Sequence, residues 1–268
     1  MTDHLLQHVE EGVMTLTFNR PEKRNALTDE MYAALNDALA SAERDDAVRV
    51  ILFQSAGDHF TAGNDLASFA QQAETPRRRN DPPPPVEGFI RGIGAAGKPV
   101  VAAVRGQGVG IGLTMLLHCD LVYIAEDAKL SAPFVSLALV PEAASSLLLV
   151  ARLGHARAFS IFAGGQIVSG RSAVDWGLAN QALPAADVDG AAREAAKALA
   201  RQPREALRIT KRLMRDSERI AARIDEELGH FATRLTSSEA KEAFRAFAER
   251  RAPDFAKAEA EIAWDRTG

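Results

Sequence analysis

Residues 98–118 read KPVVAAVRGQGVGIGLTMLLH, and the succession of textures in that stretch decides the class of fold. PVVAAV (99–104) is an apolar, β-branched run of the kind that forms a buried strand. Glycines follow at 106, 108, 110 and 112, and LTMLLH (113–118) then reads as a short buried helix. A strand that passes through a side-chain-free turn into a helix is half of a β–α–β unit. The same texture recurs on both sides. GVMTLTFN (12–19) alternates apolar and polar residues as a strand does, and VRVILFQ (48–54) and CDLVYIA (119–125) read as further strands. Between the first two, Thr28 stands as the N-cap of TDEMYAALNDALASAER, whose Met31, Leu35, Ala38 and Leu39 fall near helical spacing. After Leu153 the segments HARAFSIFAGG, SAVDWG, DGAAREAAKALARQ, PREALRITKRLMRD and SSEAKEAFRAFAERR all carry helical spacing. The prediction is an α/β architecture with much parallel pairing and a helical C-terminal region.

Composition narrows the function classes. The 268 residues are 47% hydrophobic and 25% charged, an ordinary globular profile with length enough for a large core. With 32 basic and 36 acidic residues the formal charge is −4, which does not suggest nucleic acid as a partner. Cys119 is the only cysteine, so an intramolecular disulfide is excluded. MTDHLLQHVEEG lacks the basic and apolar regions of a signal peptide, and no run approaches the roughly 18 apolar residues of a membrane span. The expectation is a cytoplasmic, soluble protein. Residues 72–88, QAETPRRRNDPPPPVEG, hold three arginines and four consecutive prolines, and read as an exposed loop that is either a surface insertion or a lid.

Several familiar patterns fail on context. GIGAAGK (92–98) has the spacing of a phosphate loop, but Pro99 stands where a hydroxyl is needed and a strand follows. The glycines of RGQGVGIG are out of phase for a dinucleotide fingerprint. They still allow close backbone approach, either for an anion or oxyanion site at the following helix N-terminus or for tight packing alone. No GxSxG and no HExxH occurs. His4 and His8 have metal-ligand spacing but fall in an expected flexible tail, and His59, His118 and His155 read as structural.

RPEKRNALT (20–28), FTAGNDL (60–66), KPVVAAVRGQGVGIG (98–112), CDLVYIAEDAKLSAP (119–133), GLANQALP (177–184) and SSEAKEAFRAFAERRAPDF (237–255) occur in that order. Together they resemble the enoyl-CoA hydratase/isomerase (crotonase) superfamily over nearly the whole chain. The resemblance implies a crotonase-like spiral of repeated ββα units over residues 1–198. It also implies a helical region over 199–268 used in trimer formation, giving a homotrimer or dimer of trimers. It implies an acyl-CoA thioester substrate, with coenzyme A as part of the substrate and neither metal nor redox cofactor. The thioester oxygen would sit between the backbone N–H groups of Asn64 and Ile111, beside Ala62. Lys23, Arg24 and Ala26 fall where the family meets coenzyme A, and Phe255 and Lys257 where it touches the nucleotide.

Hydratases of the superfamily place two glutamates at positions that correspond here to Thr114 and Phe134, neither of which transfers protons near neutral pH. Glu142, the only charge between Leu130 and Val150, remains. LALVPEAASS (137–146) resembles the matching stretch of Δ3,Δ2-enoyl-CoA isomerases, where a glutamate is the base. The residues alone leave Glu142 as a first-turn acid of a helix beginning at Pro141; the resemblance implies the base of an isomerase. Asp65, as cap of LASFAQQ (66–72), and Asp120, at a strand end, are assigned structural roles. Hydration by atypical residues, another crotonase-type reaction and a non-catalytic acyl-CoA-binding subunit are the alternatives.

Overall fold

The structure is a computed structural model that describes residues 2–65, 68, 74 and 81–258. Its strands are β1 (Leu5–Glu10), β2 (Val13–Phe18), β3 (Val50–Ser55), β4 (Val100–Val104), β5 (Gln107–Val109), β6 (Leu121–Ala125), β7 (Lys129–Ser131), β8 (Val168–Ser169) and β9 (Gln181–Leu183). Six form one sheet in the order β1-β2-β3-β4-β6-β9, and β5-β7-β8 form a second. Only the β1–β2 hairpin is antiparallel in the larger sheet; the crossovers run through helices, as parallel pairing demands. All five residues of β4 are buried, which is why PVVAAV carries no polar residue.

One side of the sheet is covered by the helix Ala185–Ala200, which packs on β3, β4 and β6. It turns Val188, Ala192, Ala196 and Ala200 inward, small side chains that let the helix lie close. The helices Asp29–Arg44 and Pro85–Ala95 pack against each other, and the latter meets the helix Ser217–Leu235. Thr28 caps the first, its Oγ1 accepting from the Met31 amide at 3.3 Å. Asp120 does hold a strand end: its Oδ2 accepts from the Val100 amide and from Lys211 Nζ, each at 2.7 Å. The lysine of GIGAAGK is also structural. Lys98 is 5% exposed and donates to the carbonyls of Ala42, Asp45 and Val48, so it holds chain rather than phosphate.

Three expectations change. The segment with His4 and His8 is not a tail, because Leu5–Glu10 pairs with β2 as an edge strand. Its outward Leu6 and Val9 hide the alternation that marks a strand. The loop expected to run to Gly88 ends at Pro84: Pro85 opens a helix, where a missing N–H costs nothing. The helix expected from Pro141 begins at Ser145. Ala143 and Ala144 adopt φ of 60° and 54°, so the chain turns before it coils. LASFAQQ and residues 75–80 lie mostly outside the described residues; Asp65 itself pairs with Arg20 Nη1 at 2.9 Å.

Among the described residues, no helix is long and apolar enough to cross a membrane, and no group of three or more His, Cys, Asp or Glu residues could hold a metal ion.

Candidate active site

Two turns meet at the ends of β3 and β4. Thr61 and Gly108 form a bridge, with the Thr61 amide donating to Gln107 O and the Val109 amide donating to Thr61 O, each at 3.0 Å. Two glycines permit this approach. A Cβ on Gly63, whose φ is +87°, would stand 2.7 Å from Val109 O, and one on Gly112 would stand 2.6 Å from Thr61 Cγ2. On the other side, Leu27 bridges to Asn64, and the Ala62 amide donates to Arg24 O at 2.9 Å. Asn25, fully buried with φ of 55°, locks this segment by donating to the carbonyls of Ala56 and His59.

The consequence is a pair of oriented amides. Asn64 N–H follows Gly63, and Ile111 N–H opens the short helix Ile111–Thr114. Neither donates to another group of the protein among the described residues. An oxygen set between two such donors would be stabilised as its charge grows.

Glu142 is 4% exposed. Thr114, one turn beyond Ile111, donates from Oγ1 to Glu142 Oε1 at 2.5 Å. The residue at the first hydratase position is therefore a tether for Glu142. Glu142 Oε2 has no partner among the described residues. Burial pushes this carboxyl up to about 8; the Thr114 hydroxyl opposes the shift and Glu227 adds to it. Such a group can take up and return a proton near neutral pH. Tyr32, fully buried, donates its hydroxyl to Asn64 Oδ1; burial, with a smaller push from the charge of Glu142, raises its pKa well above the usual phenol range. Tyr32 thus connects the Asn64 turn with the surroundings of the acid.

A cavity of about 780 Å³ opens beside these turns. Ala62, Asn64, Gly110 and Phe134 line it, together with Phe231, Phe247 and Arg251. Lys23 lies on its wall; Arg24, exposed, and Ala26, half-buried, do not. Ile111 and Glu142 are not lining residues of this cavity, although their neighbours Gly110 and Leu139 are. Phe255 lines no described cavity, and Lys257 belongs to a separate one of about 380 Å³ with Lys241, Arg245 and Arg251. The histidines stay outside the site's chemistry. His118 accepts from Arg215 through Nδ1 and donates to Ala143 O through Nε2, and burial lowers its pKa to about 3.

Thr114→Val tests the tether. Removing a hydrogen bond to the ionised form raises the Glu142 pKa further, so carboxyl titration followed by infrared spectroscopy should show a higher midpoint. An unmoved midpoint would mean that the hydroxyl does not act on Glu142.

A parallel sheet, a second small sheet, two glycine turns bridged to each other and a buried acid tied to the helix after the second turn make up the candidate site. The chain belongs to the enoyl-CoA hydratase/isomerase family, whose sequence profile matches residues 8–258. It is a crotonase-superfamily enzyme of acyl-CoA chemistry with the crotonase fold. It is 34% identical to 1,2-epoxyphenylacetyl-CoA isomerase of Escherichia coli K12, over 95% of this chain and 99% of that protein. It is 33% identical to enoyl-CoA delta isomerase 2 of Rattus norvegicus over 74% of this chain, which is about half (51%) of the length of that relative. Among solved structures it is similar to an enoyl-CoA hydratase/isomerase from Pseudoalteromonas atlantica T6c, with 39% identity, a TM-score of 0.88 and coverage of 94% and 99% of the two chains. It is also similar to Pseudomonas aeruginosa OdaA, with 43% identity, a TM-score of 0.87 and coverage of 92% and 99%.

Proposed function

We propose that the protein converts 3-enoyl-CoA to 2-enoyl-CoA, with Glu142 as the one acid–base group. Glu142 removes a proton from the carbon next to the thioester, and the N–H groups of Asn64 and Ile111 hold the oxygen of the dienolate. The protonated Glu142 returns the proton at the gamma carbon, which moves the double bond into conjugation. No water is consumed, so a second carboxylate is not needed. What supports this reading is Glu142 itself, a buried carboxylate with one oxygen tied to Thr114 and the other without a partner among the described residues. The hydratase pair is replaced by Thr114 and Phe134, a hydroxyl and a hydrocarbon. Lys23 and Arg24 are assigned to the coenzyme A phosphates or adenine, with Ala26 and Ala62 as further coenzyme A contacts and Phe255 and Lys257 toward the nucleotide. A cytoplasmic homotrimer or dimer of trimers in fatty acid metabolism is the accompanying assignment.

The near full-length match to the E. coli relative favours one second reading, the isomerisation of 1,2-epoxyphenylacetyl-CoA. A spectrophotometric assay separates them, with purified protein offered 3-enoyl-CoA, 2-enoyl-CoA and 1,2-epoxyphenylacetyl-CoA. Conversion of the first supports the proposal. Hydration of the second without isomerisation of the first overturns it, and turnover of the third alone selects the other reading.

The pH profile carries a sign. A base works when ionised, so kcat/KM for 3-enoyl-CoA should rise with pH and level off near the Glu142 pKa of about 8. Below that point the slope approaches tenfold per pH unit, because the ionised fraction falls tenfold per unit. A profile flat from pH 6 to 9 would remove Glu142 as the base.

A further inference from the structure

Three of the buried polar atoms without a protein partner among the described residues belong to the segment that starts at Glu142 or to a side chain bonded to it: Glu142 Oε2, Ser145 Oγ and Glu227 Oε2. Glu227 reaches there from the helix Ser217–Leu235, on which Ile220, Ile224 and Glu227 form the buried face. Its Oε1 accepts from the Ser146 amide at 2.9 Å. That amide belongs to the first turn of the helix Ser145–Leu153, whose N-cap, Ala144, offers no side chain. The turn between Glu142 and this helix is unusual, since Ala143 and Ala144 are both left-handed without being glycine. Two buried side chains grip it: His118 donates to Ala143 O at 2.7 Å, and Glu227 takes the Ser146 amide.

We infer that Glu227 is a positioning residue of the active centre, which fixes the turn that aims Glu142 and places a second carboxylate within electrostatic reach of it. The inference rests on the proposed role of Glu142 and adds a second ionisable group to that site. The charged and titratable groups around the pair are few. Tyr32, on the helix Asp29–Arg44, feels the charge of Glu142, and Thr114 binds it. His118, held neutral by burial and by Arg215, lies beneath the turn. Arg223, one turn before Glu227, donates to Ser146 Oγ at 3.2 Å and also pairs with Glu226, so its charge is shared. Burial raises the Glu227 carboxyl above its ordinary value, against the Ser146 hydrogen bonds and Arg223. The Glu227 charge adds to the upward shift of the Glu142 carboxyl, after burial.

The geometry separates two effects of Glu227 by substitution. Glu227→Gln keeps an oxygen for the Ser146 amide and removes the charge. Glu227→Leu removes both. Glu142 is followed by infrared titration of its carboxyl band, assigned by its loss in Glu142→Gln, so that this readout needs no turnover. Glu227→Gln should move the Glu142 midpoint to lower pH by about half a unit to one unit, since a like charge is gone. The pH profile of kcat/KM should follow it, with the affinity for coenzyme A unchanged. Glu227→Leu should add a fall in kcat of about tenfold at unchanged KM, as the turn loosens. An unmoved infrared midpoint in folded Glu227→Gln overturns the inference and leaves Glu227 as a helix cap alone. If the midpoint moves while no variant, nor the parent, isomerises 3-enoyl-CoA, the coupling stands and it is the proposed reaction that fails.

Discussion

Glu142→Gln loses isomerisation of 3-enoyl-CoA by about 10³-fold or more while the protein becomes more stable. The first half follows from chemistry. The amide has the shape of the acid and no basic oxygen, and general-base catalysis alone contributes about 10²–10⁴-fold. The second half follows from linkage. The folded state raises the Glu142 pKa from 4.5 to about 8, so between those values the native protein keeps a proton that the unfolded chain has released. Stability therefore falls as pH rises through that window, by up to about 1.4 kcal/mol per pH unit. Glutamine has no proton to lose. The variant should match the parent near pH 5 and exceed it by several degrees in Tm at pH 8, on the order of what a few kcal/mol gives in a chain of this size. Thermal melts across pH 5–8 and the enoyl-CoA assay check both halves. Retained turnover would remove Glu142 from the mechanism, and equal melts at pH 8 would show that its burial carries no cost.

Gly63→Ala is the second large effect, and it acts through the backbone. At φ of +87° a Cβ is strained, and here it would also stand 2.7 Å from Val109 O. The neighbour is a carbonyl in a bridged turn, which cannot swing aside as a side chain can. The turn must shift, and the Asn64 amide shifts with it. Loss of one oxyanion donor costs about 10²–10³ in kcat, or roughly 3–4 kcal/mol. Strain at the turn adds a loss of about 1–3 kcal/mol in stability. Turnover measured on protein shown by circular dichroism to be folded separates the two. Full kcat in a folded variant would mean that the Asn64 amide does not hold the substrate oxygen.

Much of the sheet was legible because buried strands need continuous apolar runs, and residues 50–53 and 100–104 supply them. The cap at Thr28 was legible for the same kind of reason, a single oxygen at the right offset from a helical face. β1 was not, since an edge strand with Leu6 and Val9 turned outward has no alternation to read. The start of the helix after Glu142 was misread because Pro141 is a good first helical residue, whereas nothing in the letters of Ala143 and Ala144 announces two left-handed residues. Glu227 stayed hidden in the acidic triplet Asp225–Glu226–Glu227, which reads as a solvated face. The signal was its register: it continues the inward spacing of Ile220 and Ile224, and an acid in an apolar stripe is a question by itself.

The meeting of the two glycine turns also bears on how the chain can change. Its contacts are Thr61 with Gly108 and Gly63 with Val109, carbonyls and amides common to every residue type. These contacts are made by the main chain, although the Asn64 side chain also accepts from Tyr32. A substitution at Asn64 can thus redraw the wall of the cavity, or release Tyr32, and leave the main-chain donors in register. Selectivity and reactivity are written in separable parts of the same few residues, so acyl preference can drift or be redesigned there without rebuilding the chemistry.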